Sequence, residues 1–153
     1  MMKNKYLEIS PSRADIVTQN LGFCLNGLSV IEFGASSGET LRDLKNNNNC
    51  KVKAYDLFPV SLDFCESLYF DIDLMNFTDI KENLLNCDLV LFLDVLEHVR
   101  QPKQVILEIF KINPNLKIFV VSPNFASVRL LWAWCRGFVC EYNSGYFDRT
   151  HIK

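Results

Sequence analysis

No basic run occurs anywhere in this chain of 153 residues, and its net charge is −2. An electrostatic footprint for nucleic acid is therefore missing. The amino terminus, Met-Met-Lys-Asn-Lys-Tyr-Leu-Glu, has no apolar signal core. No stretch of about 20 apolar residues is available to span a membrane; the most apolar late segment, 128–140, is broken by Arg129 and Arg136. Six cysteines stand at 24, 50, 65, 87, 135 and 140, and none forms a Cys-x-x-Cys pair. A zinc site lacks spacing support, and most of these residues are expected to be buried thiols in a reducing compartment. The cytoplasm is the expected location. Internal repeats and linkers are also missing, and the longest polar tract, Lys45-Asn46-Asn47-Asn48-Asn49, reads as a surface loop.

What is present fits one globular domain over residues 1–153. Hydrophobic residues make up 49% and charged residues 22%, which favours a packed core over disorder. Five segments are strand candidates, at 28–33, 51–56, 68–71, 88–93 and 116–122. Helical patterns lie between them. Ser10 as cap and Pro11 in the first turn open one helix, with Ile16, Val17 and Leu21 as its apolar stripe and Gly22 at its end. Glu39–Leu44 reads as a second. Pro59 opens another that reaches about residue 66, and 78–85 holds a short one. Pro102 opens a clear amphipathic helix, with Val105, Ile106, Ile109 and Phe110 on one face, stopped by Pro114. Alternating strands and helices imply a parallel sheet covered on both faces. Continuous runs such as Leu89-Val90-Leu91-Phe92-Leu93 suit strands buried on both sides. Residues 124–153 read as a helix followed by an aromatic, polar tail.

The segment 28–38, Leu-Ser-Val-Ile-Glu-Phe-Gly-Ala-Ser-Ser-Gly, combines a strand, a carboxylate at its end and a glycine turn leading into a helix. That is the layout of a ligand crevice at the edge of a parallel sheet. A dinucleotide fingerprint needs glycine at the third and sixth loop positions, where Ser36 and Glu39 stand; a phosphate-binding P-loop fails because no Gly-Lys-Ser/Thr follows. What remains is Glu-x-Gly-x-x-x-Gly, with Asp56 closing the second strand at the distance expected of a ribose-binding acid.

This arrangement resembles motif one of the class I S-adenosylmethionine-dependent methyltransferases. The resemblance implies a doubly wound α/β fold, Rossmann-like, with a mostly parallel five-stranded sheet in the order 3-2-1-4-5. It implies S-adenosylmethionine as cofactor and S-adenosylhomocysteine as its product. Glu32, Gly34, Ala35, Ser36 and Gly38 would hold the cofactor at the glycine turn. Asp56, beside Leu57, would accept hydrogen bonds from the ribose hydroxyls, a role suited to an acceptor-only carboxylate. Asp71, with Asp73 as the alternative, would receive the adenine amino group. Ser36 departs from the pattern, which usually has glycine there. Simpler roles stay open: Asp56 as a turn residue before Phe58-Pro59, and Glu32 as a capped strand end.

The phrase Asp88-Leu89-Val90-Leu91-Phe92-Leu93-Asp94-Val95-Leu96-Glu97-His98 resembles the fourth strand and following turn of the quinone- and sugar-modifying branch. Leu93 and Asp94 would lie beside the reactive methyl group. The helix after Pro102, Ser122-Pro123-Asn124, and Gly145-Tyr146-Phe147-Asp148-Arg149-Thr150-His151 extend the likeness over most of residues 11–151. Asp94, Glu97 and His98, sharing one helical face, could hold a divalent ion with His151, or Glu97 and His98 could make structural hydrogen bonds. The implied reaction is methyl transfer to a small-molecule hydroxyl, amine or sugar-like acceptor. Asp94, His98 and His151 are the candidate bases, the last two being the only histidines. The acceptor would lie against 123–140, where Trp132 and Trp134 cannot share a helical face.

The family's sheet normally has seven strands, and five are expected here. The fifth would then be an open edge, met by truncation, by a split partner, by a homodimer or by the 128–140 segment folding over it. The second functional possibility is a non-catalytic S-adenosylmethionine-binding or degenerate partner protein; a dehydrogenase is a distant third. Neither nucleic acid nor a membrane span is expected among its partners.

Overall fold

The structure, a computed structural model, describes residues 12–74 and 76–123. Five strands, β1 (Ser29–Phe33), β2 (Lys51–Asp56), β3 (Ser67–Tyr69), β4 (Leu89–Leu93) and β5 (Lys117–Val121), form one sheet in the order β3-β2-β1-β4-β5. Every pairing is parallel. Among the described residues four helices accompany them, α1 (Arg13–Asn20), α2 (Glu39–Asn48), α3 (Lys81–Leu85) and α4 (Pro102–Ile112), and three 3-10 turns cover Ile72–Leu74, Phe77–Ile80 and Leu96–His98.

Side chains along a strand alternate between faces, and β1 and β4 separate two cores in that way. Ile31, Phe33, Val90 and Phe92 face one core, which α4 closes with Val105 and Ile109. Val30, Leu89, Leu91 and Leu93 face the other, which α1 and α2 close with Val17, Leu41 and Leu44. A sheet buried on both faces explains why β4 is unbroken apolar sequence. Because β2 and β4 flank β1 on opposite sides, the chain reverses direction across the sheet there, which opens a crevice at the carboxyl ends of β1 and β4.

Several expectations are corrected. Helix α1 begins at Arg13, capped by Ser12 in a reciprocal capping box with Asp15, and ends before Leu21. Ser12 outcompetes Ser10 because an acid stands three positions after it; Ser10 and Pro11 lie outside the described residues. Ala14 joins Val17 as a buried contact, while Ile16 is only half-buried. No helix follows Pro59. Leu62, Phe64 and Cys65 pack against the second core instead, while Val60 is exposed and the backbone bends at 63–65. The polar tract 45–49 is not a loop: α2 runs through Asn48 and stops at Asn49, left-handed at φ 51°, a conformation asparagine tolerates. Cys50 and Cys87 are buried, but Cys24 is exposed. Among the described residues no helix is long and apolar enough to cross a membrane. The helix and tail expected over 124–153, with Trp132, Trp134, Cys135 and Cys140, lie outside the described residues.

Candidate functional site

The glycine turn is built from left-handed residues. Gly34 has φ 72°, Ser36 φ 48° and Gly38 φ 72°. The Gly34 amide donates to the Tyr55 carbonyl at 2.7 Å, tying the turn to β2, and the Gly38 amide donates to the Ala35 carbonyl at 2.8 Å. A Cβ on Gly34 would stand 2.5 Å from Cγ2 of Val95, so only a bare backbone passes the residues that follow β4. One on Gly38 would meet the flexible end of Leu62 at 2.8 Å.

Asp56 fastens this turn. Its Oδ2 accepts from the Ser36 amide at 2.9 Å and its Oδ1 from the Phe58 amide at 2.9 Å. Each carboxylate oxygen has a second lone pair, so both can take another donor. Asp71 and Asp73 come after β3 ends at Tyr69. Asp71 accepts from the Asp73 amide at 3.0 Å, and Asp73 accepts from the Arg100 amide at 2.9 Å.

A cleft of about 300 Å³ runs over these groups. Gly34, Asp56, Leu57, Asp71, Asp94 and His98 line it, and Phe33, Tyr55 and Phe70 form its apolar floor. The Phe33 ring stacks on Tyr55 at 5.4 Å and on Phe92 at 5.2 Å. The rings that floor the cleft are thus part of the sheet's core, which makes the floor rigid. A second cleft, of about 250 Å³, lies on the α1 side; Arg13, Glu32, Ala35 and Ser36 are among its walls.

Glu32 is 1% exposed, and its Oε2 is buried with no hydrogen-bond partner. Loss of solvent lifts its carboxyl to about 8 from an ordinary 4.5; the Arg13 guanidinium opposes the rise and the Asp56 carboxylate adds to it. A buried polar atom left unpaired is costly, and such an atom on a cleft wall is a place for a donor.

The structure gathers Gly34, Asp56, Leu57, Asp71, Asp94 and His98 around one cleft and Glu32, Ala35 and Ser36 around the other. Leu93 lines neither of these two clefts: its side chain is 2% exposed and buried in the second core. Gly38 shapes the turn without lining a cleft. Asp94, Glu97 and His98 are not on one α-helix. Asp94 is left-handed at φ 56°, and only Leu96–His98 follow as a 3-10 turn, so the spacing rule used to group them does not hold there. Both carboxylate oxygens of Glu97 are buried without a hydrogen-bond partner among the described residues. Among those residues no three His, Cys, Asp or Glu side chains are placed to hold a metal ion. His151 lies outside the described residues. Sequence reasoning missed Arg13 and Val95. Arg13 reads as an ordinary solvated helix residue because its partner, Asp94, is 81 positions away. Val95 matters only through its approach to Gly34.

These features define a Rossmann-like crevice of the methyltransferase type. A family described as a methyltransferase domain matches residues 6–153, and the chain belongs to that family. No curated protein matches it. Among solved structures it is similar to a SAM-dependent methyltransferase from Archaeoglobus fulgidus, at 19% identity and TM-score 0.59, over 92% of this chain and 60% of that one. It is also similar to a chain of the complex formed by the Haloferax volcanii Trm112 methyltransferase activator, at 21% identity and TM-score 0.53, over 70% and 50% respectively. A third is the [4+2]-cyclase SpnF, at 12% identity and TM-score 0.53, over 82% and 54%. These identities establish the fold. The chain spans between half and three-fifths of the length of these solved chains.

Proposed function

We propose that the chain binds S-adenosylmethionine across the two clefts and transfers its methyl group to a small hydroxyl, amine or sugar-like acceptor, as in the quinone- and sugar-modifying branch. The observation that supports this most is the bond from the Ser36 amide to Asp56. It makes the glycine turn and the acid of β2 one cradle, with lone pairs left for a ribose diol. The bare backbone at Gly34 and the unpartnered oxygen of Glu32 fit the same group: one gives close approach, the other awaits an ammonium or amide donor. Asp71, or Asp73, would take the exocyclic amine of a base lying over Phe33, Tyr55 and Phe70.

When bound, the cofactor supplies an electrophilic methyl group on a positively charged sulfur. The chain's own work is to align the acceptor with that methyl and to keep water out. Asp94 and His98, on the cleft wall after β4, are the groups able to take the acceptor's proton. His151 is the third candidate.

The proposal includes one domain over residues 1–153 and a cytoplasmic location. It also includes a second copy or a split partner along β5, which hydrogen-bonds only to β4 among the described residues. The Haloferax volcanii complex, which contains an activator protein, favours looking for such a partner; light scattering of the purified chain reads its assembly.

Thermal unfolding with S-adenosylmethionine tests the binding. At a hundredfold excess over Kd, stabilisation of about 2.7 kcal/mol is expected; no shift at millimolar concentration overturns the reading. Transfer of labelled methyl to a panel of small acceptors tests the turnover. Binding without transfer would support the second reading, a non-catalytic cofactor-binding protein. The likeness to a cyclase favours keeping that reading, since one fold hosts different chemistries.

A further inference from the structure

Arg13 Nη2 and Asp94 Oδ2 meet at 2.8 Å. Arg13 lines the smaller cleft and Asp94 the larger, so the ion pair crosses the boundary between them. A ligand that occupied both clefts would have one partner of the pair on each cleft's wall. The two side chains are 52% and 36% exposed. An ion pair so wetted is weak and readily exchanged.

What stands beside Arg13 indicates what it would exchange for. Glu32, buried and with one oxygen unpartnered, shares the smaller cleft with it. A guanidinium next to a carboxyl group is complementary to the two ends of an α-amino acid, carboxylate to cation and ammonium to anion. His98 aside, Arg13 is the one basic side chain among the described residues lining either cleft. Among the described residues that line the two clefts, Arg13 is the guanidinium an incoming α-carboxylate would meet.

We propose that Arg13 is shared between two anions, pairing with Asp94 before the cofactor binds and with the cofactor's α-carboxylate afterwards, so that the Asp94 carboxylate is freed for the acceptor only in the loaded site. This rests on the cofactor reading given above. It makes binding ordered, cofactor before acceptor, and gives α1 the task of reporting occupancy of one cleft to the other. Asp94 and the cofactor's α-carboxylate then compete for Arg13, so the effects of Asp94 and Arg13 on affinity must be coupled.

Calorimetric titration of the full chain with S-adenosylhomocysteine and, separately, with 5′-methylthioadenosine, which lacks the amino-acid end, tests this. Asp94→Asn is expected to tighten S-adenosylhomocysteine about two- to fivefold, the strength of a wetted ion pair. Arg13→Ala is expected to weaken it about tenfold or more, as loss of a charged hydrogen bond does. In the Arg13→Ala background, Asp94→Asn should bring no gain. Affinity for 5′-methylthioadenosine should be the same in all four proteins. Asp94→Gly is measured in parallel, because glycine adopts the φ of 56° found here without strain. The proposal is overturned if neither Asp94 variant tightens binding. A gain that survives without Arg13, or that extends to 5′-methylthioadenosine, also overturns it, since it would reflect the lost charge alone. If S-adenosylhomocysteine does not bind the unmodified chain, the cofactor reading itself falls, and the exchange with it. Binding with an uncoupled cycle removes only the exchange.

Discussion

The Ser36 amide and the Asp56 carboxylate meet at 2.9 Å, and this bond joins the turn after β1 to the end of β2. Removing the carboxylate therefore has two consequences. Asp56→Ala leaves the Ser36 and Phe58 amides without their partner, at a cost of about 1–2 kcal/mol in unfolding free energy. It also removes the proposed ribose contact, so the thermal shift given by S-adenosylmethionine should vanish. Asp56→Asn, which keeps one carbonyl acceptor, should recover stability more than affinity. Denaturant titration and cofactor-dependent melting separate the two effects. An unchanged cofactor shift in Asp56→Ala would remove Asp56 from the binding site.

Gly34 is constrained twice, by its φ of 72° and by Val95 at 2.5 Å from the position of a Cβ. Left-handed backbone costs a residue with a side chain about 1–2 kcal/mol, and the overlap adds to it. Gly34→Ala is expected to lose more than about 2 kcal/mol. Adding Val95→Ala removes the overlap but not the backbone strain, so the double variant should be more stable than the sum of the single effects implies. Urea denaturation of the four proteins measures that coupling. Simple additivity would mean that Val95 does not crowd the turn.

Much of this arrangement was legible in the sequence, for a physical reason. A parallel strand buried on both faces is apolar throughout, so β4 stands out, and β2, though it carries Lys51 and Lys53, falls at 51–56 as expected. The acids at the strand ends and the glycine turn are local features, and the sheet order carries them to two clefts on either side of that turn. Helices marked by proline and period, such as α4, were equally plain. Contacts between distant residues were not. The ion pair of Arg13 with Asp94 and the approach of Val95 to Gly34 depend on the assembled sheet. The segment after Pro59 misled because a proline can open a helix without making one, and packing of Leu62, Phe64 and Cys65 against the second core decides its course.

Ser36 departs from the glycine usual in the family's turn, and its φ of 48° states what the departure costs. Glycine in its place avoids the left-handed penalty but is freer in the unfolded chain. The balance is a gain of about 0.5 kcal/mol for Ser36→Gly. Because the amide to Asp56 is kept, cofactor affinity should not fall. A loss of stability on this substitution, read from the denaturation midpoint, would mean that the serine hydroxyl contributes more than its backbone strain removes.

Glu32 links folding to pH. Its carboxyl titrates near 8 in the folded chain, against 4.5 ordinarily, mainly because burial excludes water from the charged form. Between these values the unfolded chain has released a proton that the folded chain keeps. Stability therefore falls as pH rises through this window, at up to about 1.4 kcal/mol per pH unit, and stops falling above the folded value. Glu32→Gln keeps the shape and cannot ionise. Relative to the unmodified chain, it should be more favourable at pH 8 than at pH 5, by an amount on the order of a few kcal/mol. Comparing the two proteins cancels the other titrating groups. Cofactor binding enters through the same proton: pairing Glu32 with the ligand's ammonium favours its ionised form, so binding at pH 7 should release a proton. Titration in buffers of different ionisation enthalpy counts it. An equal difference between the two proteins at both pH values, together with no proton released, would mean that Glu32 is ionised before the ligand arrives and that the smaller cleft is wetter than its geometry implies.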